Sequence, residues 1–162
     1  AKVLSLHENM EMYFVAPEQY QIDSTTEQYL RKRGVKVNKV TSGLEGIPEI
    51  ITGAVYMTRI QDEHDEGSEE EKVQKRYDPR FIFRESMLDQ LKDPAILMHP
   101  LPKREEIDPA IDYRDDRKIM IWREMRNGMW ARTALFAHIF GVDQQILDQY
   151  EQGKKAYAAK PL

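Results

Sequence analysis

The sequence predicts an α/β domain: a doubly wound, mainly parallel sheet with helices on both faces, three layers within one domain. Three observations carry this expectation. Short runs of strand-forming residues recur at Met10–Ala16, Val35–Thr41 and Ala54–Arg59, each too short for a helix. Helix start and stop signals lie between them. The resulting β-α-β-α-β alternation favours parallel pairing with helices packed above and below.

Taken in order, Ala1–His7 reads as the end of an amphipathic helix, an odd opening for a doubly wound domain, so the chain is expected to belong to something longer. Met10–Ala16 is the first strand, closed by Pro17. Asp23 or Ser24 can cap a helix whose last turn is basic and whose stop is Gly34. Val35–Thr41 alternates and is β-branched, a second strand. Leu44–Ile51 suits a short helix with Pro48 in its first turn, and Ala54–Arg59 a third strand. The charged run Gln61–Arg80 breaks the alternation. Helical signal resumes at Arg84–Lys92, a fourth strand is expected at Ala95–His99, and Lys118–Trp122 reads as a fifth. From Asn127 onward Met129, Trp130, Thr133, Ala134, Phe136, Ala137 and Phe140 fall at helical spacing, and a polar helix follows near Asp143–Ala158. The whole is a Rossmann-like layout without internal repeats.

Composition bounds the function. The chain has 162 residues, long enough to bury a real core, and a net charge of −4. That mild acidity gives no basic face for nucleic acid. Cysteine is absent, which removes disulfides, thiolate metal sites and a cysteine nucleophile, and agrees with a cytoplasmic setting. No apolar run approaches the roughly 18 residues of a membrane span, and the first stretch lacks the pattern of a signal peptide. No nucleic-acid partner, membrane partner, metal or cofactor is expected.

Ligands of open parallel sheets bind beyond the carboxyl ends of the strands, and two such ends are unusual here. Arg59 ends the third strand as a planar, always-charged donor suited to a carboxylate or phosphate. Gln61, two residues on, projects the same way in extended chain and can add an amide. The plainer alternative pairs Arg59 with the acidic run that follows. At the fourth strand end stands His99-Pro100-Leu101-Pro102-Lys103. Its two prolines stiffen the backbone and delete two amide donors, which leaves carbonyl oxygens for a ligand, and each X-Pro bond is a candidate cis peptide. The alternative is a rigid turn without function, with His99 a satisfied core histidine. The run Asp62–Glu71 holds seven carboxylates and His64 but lacks the spacing of a calcium loop, so a solvated loop is the better reading. Asn127-Gly128 reads as a turn that starts a helix, and Arg132 as a structural charge. Gly-rich phosphate loops, G-x-S-x-G and H-E-x-x-H are absent from the sequence.

Four stretches combine these features: Tyr13-Phe-Val-Ala-Pro17, Val55-Tyr-Met-Thr-Arg-Ile-Gln61, His99-Pro-Leu-Pro-Lys-Arg-Glu-Glu-Ile107 and Asn127-Gly-Met-Trp-Ala-Arg-Thr-Ala-Leu135. In order and spacing they resemble the second, aspartate-binding half of the aspartate carbamoyltransferases, within the aspartate/ornithine carbamoyltransferase family. The ornithine branch differs, with Cys where Pro100 stands and a Ser-Met-Gly loop not found here.

The resemblance implies a domain, residues 1–162, that binds L-aspartate for carbamoylation by carbamoyl phosphate in pyrimidine biosynthesis. It implies that the carbamoyl-phosphate domain, with its Ser-Thr-Arg-Thr loop, is absent from this chain, and that the isolated chain is inactive. It also implies a homotrimer for the full enzyme. By the same resemblance, Arg59 and Gln61 match the pair that grips the aspartate carboxylates. Pro100 and Leu101 match positions whose carbonyls meet the reacting amine and carbamoyl nitrogen, and Leu101-Pro102 matches a cis peptide. His99 and Lys103 are further candidates. Lys103 stands where that family has Arg, and Glu124-Met-Arg126 replaces more neutral residues. The acidic run occupies the place of a closing loop. Two other functions remain open at this point: a stand-alone carboxylate-binding or regulatory module, and a carbamoyltransferase paralogue for another amino acid.

Overall fold

Strands β1 (Glu11–Val15) and β2 (Lys36–Val40) pair in parallel, Met12 opposite Val37 and Val15 opposite Val40, in a computed structural model that describes residues 1–59 and 78–158. The crossover between them is helix α1 (Ser24–Lys32). Asp23 caps it: its carboxylate accepts from the Thr26 backbone N–H at 2.8 Å and from the Thr26 hydroxyl at 2.7 Å. Arg31 and Lys32 lie in the last turn, where cations meet the negative end of the helix dipole. Gly34 then adopts φ +80°, and the Val35 N–H returns to the Leu30 carbonyl at 3.1 Å. This turn delivers Leu30 to the sheet, where it is buried with Val35 and Val37 against Met10, Met12, Phe14, Ile22 and Tyr29. Burial of a side chain such as Leu30 is worth about 1.5–3 kcal/mol.

Gly46 at φ +72° precedes the short helix α2 (Ile47–Ile50), with Pro48 in its first turn. Strand β3 (Ala54–Tyr56) pairs in parallel with β4 (Ile96–Met98), and helix α3 (Glu85–Gln90) lies between them in sequence. Phe83, Leu88, Leu91, Leu97, Ile107 and Ile111 are all buried.

The α/β class and parallel pairing stand as expected. Among the described residues, however, the strands form two two-stranded sheets rather than one ladder. Hydrophobic pattern marks a strand but does not choose its neighbour. The expected strand at Lys118–Trp122 shrinks to one bridge between Leu97 and Ile119. The local cause is Asp116: its side chain accepts from the Lys118 N–H at 2.9 Å and its carbonyl from the Ile119 N–H at 3.0 Å, so those donors serve a turn. Helix α4 (Ile121–Ile139) starts immediately afterwards, six positions before the expected Asn127. Asn127 and Gly128 therefore lie inside a helix and not in a turn. Gly128 is unfavourable there by about 1 kcal/mol relative to Ala, which a 19-residue helix absorbs. Helix α5 (Asp143–Ala158) follows, and at the other end of the chain Leu4–Leu6 is a single 3-10 turn.

By its contacts the chain divides into two compact units, Ala1–Ile119 and Met120–Leu162. In the second unit Trp122, Trp130, Phe136, Phe140, Leu147 and Tyr150 are all exposed. Among the described residues no helix is long and apolar enough to cross a membrane.

Candidate functional site at the strand ends

Tyr56 of β3 stands opposite Met98 of β4, and the Met57 N–H adds one more bond to the Met98 carbonyl at 2.9 Å. Parallel strands in register leave the sheet at the same end. Arg59 and Leu101 each lie three residues beyond the last paired position, so the two unusual strand ends emerge side by side. The architecture thus brings together two sequence features that are 42 positions apart.

The turn after β4 is ordered from beneath. His99 is 1% exposed. Its Nδ1 accepts the Leu101 N–H at 2.9 Å, which places the ring proton on Nε2. Nε2 then donates to Glu106 Oε1 at 2.6 Å, and the same oxygen accepts the Arg104 N–H at 3.0 Å. Glu106 is in turn held by its backbone: its carbonyl accepts from the Phe83 N–H at 2.9 Å, and the Phe83 carbonyl accepts from the Asp108 N–H at 2.9 Å. Leu101 adopts φ +57°, a left-handed conformation that disfavours leucine, and the Leu101–Pro102 peptide is cis.

A cavity of about 300 Å³ opens at the carboxyl ends of β1 and β3. Val15 to Pro17 and Tyr20 line one side, Tyr56 to Arg59 another, and Asp78, Phe81, Ile82, Glu105 and Glu106 complete it. It is the crevice expected for a parallel α/β sheet. Arg59 supplies a half-buried guanidinium among carboxylates. Asp78 is already committed to Arg80, whose Nη2 sits 2.6 Å from it. Those side-chain bonds from Arg80, followed by its backbone N–H, hold the Asp78 carboxyl below its usual range. They raise the Arg80 guanidinium correspondingly. A cation clamp at a strand end, beside a turn stripped of amide hydrogens, suits a small anionic substrate with a polar reacting group.

Of the sequence candidates, Arg59 lines the cavity, and His99, Pro100, Leu101 and Pro102 form the adjoining turn. Lys103 forms an ion pair with Asp112. Gln61 and the acidic run Asp62–Glu71 lie outside the described residues. Sequence reasoning missed Tyr20, Tyr56, Asp78 and Glu106. Only Glu106 left a trace: a buried histidine at a strand end needs an acceptor for its second nitrogen, and carboxylates stand nearby in sequence. Among the described residues, no three His, Asp or Glu side chains are grouped to hold a metal ion.

Parallel strands, a crevice at their carboxyl ends and a guanidinium beside a proline-stiffened turn define an α/β domain whose strand ends suit a small anion. Comparison gives the family. Residues 3–139 match the Asp/Orn binding domain of the aspartate/ornithine carbamoyltransferases, and the chain belongs to that family. It is 32% identical over 142 residues to an aspartate carbamoyltransferase catalytic subunit of Clostridium botulinum, covering 87% of this chain and 44% of that protein. It is 29% identical over 142 residues to the corresponding subunit of Clostridium novyi, covering 88% of this chain and 44% of the relative. Among solved structures, the catalytic subunit of the M. jannaschii aspartate transcarbamoylase superposes with a TM-score of 0.71 at 26% identity, over 87% of this chain and 43% of that one. The chain thus spans under half the length of these relatives. The matches do not favour the stand-alone module or the paralogue for another amino acid.

Proposed function

We propose that this chain is the aspartate-binding half of an aspartate carbamoyltransferase. The supporting observation is the side-by-side exit of Arg59 and the Pro100–Pro102 turn from paired strands, at the end where a crevice opens. In this reading Arg59, with Gln61, grips the carboxylates of L-aspartate. The carbonyl oxygens of Pro100 and Leu101 accept hydrogens from the substrate amine and from the carbamoyl nitrogen. The amine nitrogen attacks the carbamoyl carbon and a C–N bond forms, the C–O bond breaks with its electron pair leaving on phosphate, and the amine proton passes to the departing phosphate. Such a step needs orientation and charge placement rather than a covalent nucleophile. Lys103, tied to Asp112, anchors the segment after the turn.

Carbamoyl phosphate belongs to a second half, of the kind that makes up the remaining length of the relatives. The exposed apolar side chains of α4 and α5 are surface that such a half could cover. The assembled enzyme is a homotrimer working in the cytoplasm.

Product formation tests the reading. An assembled enzyme containing this chain should make carbamoyl-aspartate from L-aspartate and carbamoyl phosphate. The 162-residue polypeptide alone should make none above background and should bind aspartate at about millimolar strength or weaker, since in this reading carbamoyl phosphate is held by a second half. Micromolar binding by the chain alone would favour a stand-alone module instead.

A further inference from the structure

We propose that His99 is a positioning residue that aims the Pro100 carbonyl oxygen at the substrate. The inference rests on the reading above, in which that oxygen meets the reacting groups.

Backbone donors are scarce in this turn. Pro100 and Pro102 carry no N–H, so Leu101 supplies the one backbone hydrogen of the three-residue turn. That hydrogen goes to His99 Nδ1 at 2.9 Å. The Pro100–Leu101 peptide is planar and trans, so its C=O runs opposite to its N–H. Fixing the N–H against a fully buried imidazole therefore fixes the carbonyl in the opposite direction, away from that ring. Leu101 at φ +57° would otherwise relax toward ordinary backbone, and the peptide plane would turn with it. Glu106 determines which nitrogen of His99 can accept. By taking the Nε2 proton at 2.6 Å it leaves the Nδ1 lone pair for Leu101, and the Arg104 N–H at 3.0 Å holds Glu106 in that pose. The chain of contacts runs from Glu106 through His99 and the Leu101 amide to the Pro100 oxygen. A histidine that only filled core space would need neither this tautomer nor this acceptor.

Three variants separate positioning from packing. His99→Asn keeps an acceptor near the place of Nδ1 and gives up the reach to Glu106. His99→Gln reaches toward Glu106 and withdraws the acceptor from Leu101. Glu106→Gln keeps an acceptor for Nε2 and serves should either His99 variant fail to fold. Amide hydrogen exchange on the 162-residue chain reads the geometry without any activity. The Leu101 amide should be protected in wild type, His99→Asn and Glu106→Gln, and should exchange at least about tenfold faster in His99→Gln. In an assembled enzyme containing the chain, His99→Gln should lower kcat by about 10- to 100-fold with the aspartate KM within about threefold, and His99→Asn should recover most of that loss. Equal Leu101 exchange in wild type and His99→Gln would overturn the proposal, and so would an unchanged kcat in an active His99→Gln enzyme. If the wild-type assembly shows no carbamoyl transfer, the functional reading falls and with it the use of this oxygen in that reaction. The exchange data would then still decide whether His99 aims it.

Discussion

Gln21 ties β1 to β2 from beyond their ends: its Nε2 donates to the Val40 carbonyl at 3.2 Å, across 19 positions of sequence. The same nitrogen lies 3.0 Å from the Phe14 carbonyl and 2.9 Å from that of Ala16. Ala16 lines the crevice, so one amide side chain closes the parallel pair and sets one wall of the site. Among the described residues its own Oε1 is buried without a hydrogen-bond partner, so the donor end carries the interaction with these carbonyls.

Gln21→Ala should therefore destabilise the chain by about 1 kcal/mol, the net worth of a hydrogen bond to part-buried carbonyls, one of which, on Val40, keeps the Ala16 N–H. Gln21→Glu should be worse at neutral pH, because an ionised carboxylate would face three carbonyl oxygens with no hydrogen to offer. Urea unfolding of the two variants beside wild type checks the order. Equal stability in all three would mean that the staple contributes nothing.

Arg59→Ala in an assembled enzyme should raise the aspartate KM by roughly ten- to a hundredfold, from a charge-assisted bond worth about 1.5–3 kcal/mol, and should leave the carbamoyl phosphate KM nearly unchanged. Steady-state kinetics in both substrates decides this. An unmoved aspartate KM would return Arg59 to the role of a loop anchor.

Gly43→Ala should be strongly destabilising. Gly43 holds φ +118°, and a Cβ there would come within 2.7 Å of the Arg80 carbonyl oxygen. That carbonyl also accepts the Leu44 N–H at 2.8 Å, so backbone on both sides would have to move. The unfavourable φ alone costs about 1–3 kcal/mol, before the clash is counted. Thermal melting should show a clear drop in Tm, larger than for Gly53→Ala, where no atom lies within 4 Å of an added Cβ.

Acid should loosen the first β-α-β unit. The Thr26 hydroxyl, then the Thr26 backbone N–H, hold the Asp23 carboxyl below its ordinary value. Lys39, then Arg31, do the same for Glu27, and Lys36, then Tyr13 and Asn38, for Glu11. A depressed folded pKa means that the unfolded chain binds the proton more readily. The stabilisation is thus complete above the ordinary carboxyl values of about 4 and is lost as pH falls through the lower folded values. Glu11 and Asp23 are exposed and Glu27 is partly exposed, so salt should shrink the ion-pair share. Asp23→Asn keeps an N-cap but cannot titrate, and its stability should depend less steeply on acid pH than wild type. A parallel acid profile would place the proton uptake elsewhere.

Some of this was legible in the residues. Asp23, Gly34 and the basic turn between them announce α1 because caps and dipole partners act within one turn of chain. The strand runs around Met12, Val37 and Leu97 show through burial alone. Arg59 and the His99–Pro102 turn stand out because their residue types are unusual at strand ends. The start of α4 was misread because Asn127-Gly128 is a local turn signal, and a long helix with its own hydrogen-bond ladder overrides one weak position. The strand expected at Lys118–Trp122 failed for the opposite reason, since Asp116 captures two of the donors that a ladder would need.

By itself, then, the sequence determined the α/β alternation, the caps and the two chemically unusual strand ends, because each depends on neighbours within a few residues. Only the tertiary structure decided that β3 meets β4 in register, that Arg59 and Leu101 leave the sheet together, and that Glu106 and Gln21 reach their partners. Those relationships join residues through space. Which edges pair, and which buried donor finds which acceptor, is set by satisfying every backbone and side-chain group at once, a condition that no local stretch of sequence contains.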